Sequence, residues 1–127
     1  MNREIKFRAW SNLEKKMIQN PPLRYSYGKW IIEYADTIMT DIILSQFTGL
    51  LDKNGKEIYF EDIVKYETWN EDLSLKEEEI IDKIQFGGGC FNLRGLPLYE
   101  YRLEHSEKIG LKIIGNIYQN SNLLKQK

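Results

Sequence analysis

Cysteine and histidine are almost absent from this chain of 127 residues, which contains one of each, Cys90 and His105. A single cysteine excludes an intrachain disulfide and any zinc site built on paired thiolates. A Ser-His or Cys-His catalytic arrangement would have to use His105. Cys90 follows three glycines at the start of a predicted strand, where a cysteine normally behaves as a small buried apolar residue. The composition therefore predicts neither a catalytic residue set nor a metal site or cofactor.

Long hydrophobic runs are missing as well. The longest, such as residues 42–44, span only a few positions, so the sequence predicts no membrane-spanning helix. Charged residues stand near the N-terminus, where a secretory signal would have an apolar core, and this predicts a cytosolic protein. With 42% hydrophobic and 29% charged residues, the composition is that of a globular protein. We expect one domain over residues 1–127, or two lobes of about 1–47 and 48–127.

The net charge of −1 conceals three blocks of opposite sign. Residues 1–30 have a surplus of five positive charges, residues 31–82 a surplus of ten negative charges, and residues 83–127 a surplus of four positive charges. Such blocks attract one another within a molecule or between copies, or they mark faces for charged partners. If the attraction acts between copies, the protein is a homo-oligomer whose assembly weakens as the salt concentration rises.

Alternation of apolar and polar residues predicts strands through most of the chain. In residues 3–10 the apolar residues Ile5, Phe7 and Ala9 alternate with charged residues, and residues 16–19 suit the return strand of a hairpin. An Asn-Pro-Pro sequence then ends that strand. We predict a third strand over residues 27–35, whereas residues 37–47 fit either a strand or a helical turn that leads into one.

Glycine marks two further turns. Asn54 and Gly55 form a dipeptide that readily adopts positive φ, which predicts a hairpin whose second strand covers residues 56–59. The glycines at 87–89 predict a turn between two strands. Residues 74–86 suit the first of these strands, or a helix of about three turns with a capping box, and the glycines that follow favour the strand.

The remaining segments complete a mainly β pattern. Polar residues 67–79 predict an exposed loop or hairpin tip. Residues 111–118 form a strand in which Gly115 predicts a bulge or the close approach of another backbone, and a short terminal turn follows. The predicted fold is a small, partly open barrel or a sandwich of antiparallel hairpins with few short helices, and an α+β fold is the alternative.

Two aspartates near the Asn-Gly turn are candidates for catalysis. Asp52 and Asp62 are ten residues apart in the sequence, and across a hairpin they could converge on a substrate as general acid and base. That arrangement would suit an enzyme that acts on nucleotides. Aspartates at turns more often accept backbone N–H groups, however, and the structural role is the preferred interpretation.

The basic residues near the N-terminus suggest nucleic-acid binding as an alternative function. These residues are Arg3, Lys6, Arg8, Lys15 and Lys16. On one face of a hairpin they could contact phosphates, with Trp10 available for stacking. The sequence pI of about 5.9 and the acidic middle block oppose such binding, because they repel phosphate. We therefore do not expect nucleic acid as a partner.

Three segments of the sequence resemble one known family by their content, order and spacing. They are REIKFRAW at 3–10 with KKM at 15–17, QFTGL at 46–50 with DKNGKEIY at 52–59 and DIV at 62–64, and IGNIY at 114–118 with Asn120 and the leucines at 123 and 124. This combination resembles the YopX family of phage and prophage proteins, whose function is unknown. The resemblance implies a β-rich protein of the host-cell cytoplasm that tends to self-associate, and it supplies no catalytic residues.

The sequence departs from the family pattern at one turn, and the matching segments suggest which residues would line a ligand groove. The family has glycine where Glu61 stands, and a glutamate there argues against a positive φ at that turn. If the fold has a ligand groove, we expect its polar lining to be Gln46, Thr48, Asp52, Asp62 and Asn116. We therefore predict a phage- or prophage-encoded accessory protein that binds a host protein, a phage protein or a small ligand, and that is not an enzyme.

Overall fold

The structure is a computed structural model that describes residues 4–33, 38–103 and 108–125. Its elements form two compact units, Met1–Phe47 and Thr48–Lys127. Strands dominate both units, and the described residues contain two short 3₁₀ helices but no α-helix. The prediction of a mainly β fold is therefore confirmed. No helix in the described ranges is long and apolar enough to cross a membrane.

The first unit is built from two small antiparallel sheets. In one sheet β1 lies between β2 and β6, and in the other β4 lies between β3 and β5. The buried centre of this unit consists of Ala9, Ile32 and Met39. The strands are β1 (Phe7–Ser11), β2 (Lys16–Gln19), β3 (Leu23–Ser26), β4 (Lys29–Glu33), β5 (Ile38–Met39) and β6 (Ile42–Leu51), the last of which continues into the second unit.

The N-terminal hairpin is confirmed, and the segment predicted as the third strand contains β4, but its first two residues belong to a turn. Residues 27–35 were expected to be one strand, whereas Tyr27 and Gly28 form a two-residue turn with φ values of 48° and 82°. This turn joins β3 to β4. It forms readily because glycine adopts positive φ at low cost. Residues 34–37 lie outside the described residues. From Ile38 onward the structure has strands, so the helical-turn alternative for 37–47 is wrong in its described part.

The second unit also consists of short antiparallel strands. β8 lies between β13 and β9, β11 lies between β10 and β12, and β7 lies beside β6. The strands are β7 (Glu57–Tyr59), β8 (Asp62–Trp69), β9 (Lys76–Lys83), β10 (Gln85–Gly87), β11 (Cys90–Leu93), β12 (Leu96–Pro97) and β13 (Lys112–Asn116), and the 3₁₀ helices are Leu98–Tyr101 and Ser121–Lys125.

One apolar core holds these strands together. Its members come from strands, from the residue between β9 and β10, from a 3₁₀ helix and from the segment before β13. By sharing one core, such short elements gain enough buried surface to be stable. The buried members are Ile58, Val64, Ile84, Leu93, Leu98, Ile109 and Leu111. Tyr66 and Tyr101 pack against this core with their ring centroids 4.9 Å apart, and burial raises the pKa of Tyr101.

Both predicted glycine turns are present. Gly55 has a φ of 86° in the turn between β6 and β7, and Gly88 and Gly89 have positive φ between β10 and β11. Residues 76–83 are a strand that pairs with β8 along its length, so the helical alternative for 74–86 is wrong. The polar stretch that begins at residue 67 includes the ends of β8 and β9, and only residues 70–75 form the hairpin tip.

Glu61 and Gly115 hold unusual backbone positions. Glu61 has a φ of 69°, so the turn retains a left-handed residue although glutamate replaces the glycine of the family, and the expectation from the sequence was wrong on this point. The β13–β8 register shifts between Ile113 and Gly115, which confirms the predicted bulge. The group that approaches Gly115 is the side chain of Asn120 and not another backbone.

Packing at Gly115 yields a stability prediction. A Cβ atom there would lie 2.6 Å from Cγ of Asn120, whose Oδ1 accepts the N–H of Asn116 at 3.2 Å. We expect Gly115→Ala to lower the free energy of unfolding by roughly 1–3 kcal/mol through overpacking, measured by urea denaturation. Gly87→Ala is the control, because a Cβ there has its nearest contact at 3.7 Å. Equal losses in the two variants would contradict this explanation.

Candidate functional site

Asp52 has a structural role in the turn between β6 and β7. Its side chain is fully buried. Oδ1 accepts the N–H groups of Asn54 and Lys56, both at 2.9 Å, and Oδ2 accepts the N–H of Ile113 at 3.1 Å. A buried carboxylate needs such donors, because an unsatisfied charge in an apolar interior is costly. The three bonds fasten the β6–β7 turn to β13.

The other predicted groove residues in the second unit have similar structural roles. Asp62 Oδ2 accepts the N–H of Tyr59 at 2.8 Å. Thr48 donates its hydroxyl to the carbonyl of Ile58 at 2.8 Å. Asn116 Oδ1 accepts two N–H groups of the turn that follows it, from Tyr118 and Gln119. The bond of Asp62 is the turn-capping interaction that the preferred interpretation of the aspartates predicted.

The predicted groove residues are divided between the two units. Gln46 belongs to the first unit, where it is paired with Phe7 in the β1–β6 ladder. Asp62 and Asn116 are register partners in the β8–β13 ladder, and their carboxylate and amide oxygens accept backbone donors. Because Asp52 and Asp62 both accept backbone N–H groups within turns, the structure gives no support to the acid and base roles. His105 lies outside the described residues.

The basic N-terminal residues do not form an exposed, unpaired face. Arg8 is 6% exposed, Lys6 contacts Glu4 at 3.2 Å, and Lys16 contacts Glu14 at 3.4 Å. Lys15 is exposed, whereas Trp10 is buried and unavailable for stacking. Arg3 lies outside the described residues. The arrangement that phosphate binding would require is therefore not present in the described part of this hairpin.

An open cavity of about 610 Å³ lies elsewhere in the second unit. Phe86 and Phe60 form its apolar part, and both rings contact Phe91, at centroid distances of 5.1 and 6.4 Å. Phe91 in turn packs against the core. The remaining lining comes from strands β9, β10 and β11 and from the turns beside them, and consists of Glu61, Lys83, Ile84, Gln85, Gly87, Gly88, Asn92 and Gly95.

The side chain of Asn92 has a fixed orientation in this cavity. Its Oδ1 accepts the N–H of Gly95 at 3.0 Å, which fixes the amide because an N–H group can only donate. Nδ2 lies 3.7 Å from the position that a Cβ on Gly87 would occupy. It donates no hydrogen bond to another residue in the described ranges. Asn92 is only 7% exposed, so Nδ2 is a positioned donor at the cavity wall.

Glu61 and Lys83 supply opposite charges to the lining. Glu61 Oε1 accepts the hydroxyl of Tyr118 at 2.8 Å, and the Glu61 N–H donates to the carbonyl of Ile84 at 3.1 Å. These bonds hold the glutamate in its left-handed conformation, which L-residues adopt at some energetic cost. Lys83 forms no ion pair with any residue that the structure describes, so its ammonium group is available to a ligand.

This cavity has no clear signal in the sequence. Its walls combine residues from 60–61, 83–88 and 92–95, and no local pattern brings these segments together. The three glycines at 87–89 were the one available signal, and they were interpreted only as a turn. The described residues contain no group of three or more His, Cys, Asp or Glu side chains that could hold a metal ion.

The fold and the cavity define a mostly β protein with an open cavity large enough for a small molecule. Comparison with known proteins identifies its family. The family described as YopX protein matches residues 6–125, so the chain belongs to the YopX family. It is also similar to the crystal structure of protein EF1440 from Enterococcus faecalis, with 27% sequence identity, a TM-score of 0.64, and coverage of 97% of this chain and 99% of that chain. No curated protein matches the chain at a significant level.

The bonds of Asp52 yield a second stability prediction. Asp52→Asn replaces one acceptor oxygen by an NH₂ group, which must then face a backbone N–H. We expect the free energy of unfolding to fall by roughly 1–3 kcal/mol, because a buried donor loses its partner. The control is Asp72→Asn at the exposed hairpin tip, where Oδ1 accepts the Ser74 N–H and hydroxyl and an amide oxygen can do the same. Urea denaturation that finds Asp52→Asn as stable as wild type would contradict the assigned role.

Proposed function

We propose that this protein is a non-enzymatic accessory protein of phage or prophage origin that binds a small ligand with a flat apolar body and an anionic group. The observation that carries the proposal is the side-chain amide of Asn92, a mostly buried residue of the cavity lining whose amide is fixed by its bond to Gly95. Ligand sites typically combine an apolar surface with a few convergent polar groups. The cavity beside Asn92 has this composition.

The ligand class follows from the lining. Phe86 is 58% exposed and offers an aromatic surface against which a planar group can pack. The free ammonium of Lys83 and the Nδ2 donor of Asn92 are both suited to a carboxylate or phosphate oxygen. The carboxylate of Glu61 already accepts a hydrogen bond from Tyr118 and adds a negative charge to the lining. This charge would repel a ligand that is negative over its whole surface, so the anionic group of the ligand should be confined to one end.

Binding, and not catalysis, is the role that these groups support. The lining contains no serine, threonine, cysteine or histidine, so it offers no hydroxyl or thiol nucleophile and no imidazole base. Its two titratable side chains, Glu61 and Lys83, fit charge recognition. Family membership agrees with this proposal, because the YopX resemblance carries no catalytic residue set.

Anionic aromatic probes test the cavity. We expect 1-naphthoate to shift the backbone amide NMR signals of Phe86, Gly87 and Asn92, and naphthalenemethylamine to leave them unchanged. Asn92→Asp keeps the oxygen that caps the Gly95 turn but replaces the Nδ2 donor by an acceptor, so naphthoate affinity should fall about tenfold. Tyr99→Ala, an exposed position outside the cavity lining, is the control. Naphthoate binding that is unaffected by Asn92→Asp would refute the assigned site.

Self-association is a second candidate function, favoured by the charge of the β8–β9 hairpin. We name residues 67–79 the acidic arm. Lys65 and Lys76 neutralise two of its acids through contacts of 2.9 Å to Glu67 and 2.7 Å to Glu79, and hydrogen bonds from these lysines lower the pKa of both carboxyl groups. Four further acids belong to the arm, and they are Glu71, Asp72, Glu77 and Glu78.

The acidic arm also exposes apolar side chains. Leu73 and Leu75 at the tip are 72% and 65% exposed, and Trp69 at the end of β8 is 44% exposed. Apolar anchors surrounded by uncompensated negative charge suit a positively charged partner surface. The sequence contains such charge in residues 1–30 and 83–127, and we therefore propose a second copy of the chain as the partner.

Light scattering tests this assembly. We expect an oligomer at micromolar protein concentration and low salt that dissociates as the salt concentration rises, because screening weakens attraction between exposed charges. Glu78→Lys should weaken assembly, whereas Glu100→Lys makes the same charge change in a positive block and should leave the acidic arm intact. A monomer at low salt, or assembly indifferent to salt, would contradict the proposal.

A further inference from the structure

Strand β3 has a free edge in the first unit. The sheet order is β3-β4-β5, so β3 has β4 on one side and no described strand on the other. The Glu33 N–H donates to the carbonyl of Pro22 at 3.4 Å, which makes Pro22 and Glu33 a bonded pair of the ladder. Bonded and non-bonded pairs alternate in an antiparallel ladder. Arg24 and Ser26 therefore bond to β4, whereas Leu23 and Tyr25 direct their N–H and C=O groups to the open edge.

The two faces of this hairpin differ in chemistry. On one face Tyr25 and Trp30 are register partners with ring centroids 5.2 Å apart, and they are 59% and 49% exposed. The opposite face has Arg24, whose Nη1 contacts both carboxylate oxygens of Glu33 at 2.9 Å, together with the exposed Lys29. Because only Nη1 of Arg24 is used in that ion pair, Nε and Nη2 of the guanidinium can bind a second carboxylate.

We propose that the edge of β3 binds an extended segment of a partner protein in which apolar and acidic residues alternate. The segment adds as a strand, and its backbone bonds to Leu23 and Tyr25, since free strand edges are templates for such addition. Its apolar side chains pack beside Tyr25 and Trp30. Its acidic side chains lie on the other face, where Arg24 and Lys29 provide complementary charge.

The charge on this edge argues against a second copy of β3 as the occupant. In an antiparallel pair of β3 strands, the register that satisfies Leu23 and Tyr25 in both copies places Arg24 directly opposite Arg24 of the other copy. Like charges that face each other across strands are destabilising. The same charge favours an acidic segment, so the occupant that we assign is a different chain with glutamate or aspartate at every second position.

Short fluorescein-labelled peptides test the proposal on the full chain. We expect fluorescence anisotropy to detect binding of a peptide that alternates valine with glutamate, and a peptide that alternates valine with lysine to bind at least about tenfold more weakly. Lys29→Glu should reduce this preference for the acidic peptide. Equal affinity for the two peptides would overturn the charge assignment.

Two variants of Tyr25 separate the backbone contribution from that of the ring. Tyr25→Ala removes the ring but keeps the N–H, whereas Tyr25→Pro also removes the N–H, which the β3–β4 ladder does not use. We expect Tyr25→Pro to bind the acidic peptide about fivefold more weakly than Tyr25→Ala, the effect of one lost hydrogen bond. Equal peptide binding by the two variants would overturn strand addition. The proposal would also be overturned if the variants changed the oligomeric state of the protein and left peptide binding unchanged.

Hydrogen exchange on the wild-type chain gives a test that is independent of any variant's folding. The amides of Arg24 and Ser26 bond to β4 and should be protected with or without peptide. Those of Leu23 and Tyr25 face the open edge and should become protected only when the valine–glutamate peptide is bound. Unchanged exchange at Leu23 and Tyr25 in the presence of saturating peptide would overturn the proposal.

Discussion

The buried carboxylate of Asp52 is the interaction on which the second unit depends. It binds three backbone N–H groups, two in the β6–β7 turn and one in β13. The Lys53 N–H strengthens the same junction by donating to the carbonyl of Leu111 at 2.9 Å. The position of β13 beside β8 is therefore linked to a turn some 60 residues earlier in the chain. A fully buried carboxylate is tolerated here because backbone N–H groups donate hydrogen bonds to both of its oxygens. Those N–H groups in turn need acceptors, because they are removed from water.

Positions near this framework adopt conformations that their residue types disfavour. Glu61 keeps a left-handed backbone because its N–H, its carbonyl and its carboxylate all have partners, in Ile84, Ile117 and Tyr118. Such a residue persists only where the surrounding structure fixes it, and strain of this kind is concentrated at functional sites. Glu61 lines the cavity. Hydrogen bonds join the β7–β8 turn to the segments that follow β9 and β13. These bonds fix both the backbone conformation of Glu61 and its position in the cavity lining.

The candidate surfaces of the two units have different chemistry. The cavity in the second unit combines aromatic rings with one fixed amide donor and one free ammonium group, which suits a small molecule. The free edge of β3 in the first unit presents backbone groups, two aromatic rings and two cations, which suits an extended chain. We propose the cavity for a ligand and the edge of β3 for a protein segment, and each surface is formed within a single unit.

Local patterns in the sequence were sufficient for much of the fold. Alternation predicted β1, β2 and β13, Asn54 and Gly55 predicted the β6–β7 hairpin, and Gly115 predicted the bulge, because each feature depends on a few neighbouring residues. The turn at Tyr27 and Gly28 was missed, since a tyrosine with positive φ carries no clear local signal. The sequence by itself determined the family, the β character and the structural role of Asp52. Only the tertiary structure decided where the cavity lies and which edge of β3 is free, because these features depend on contacts between segments that are far apart in the chain.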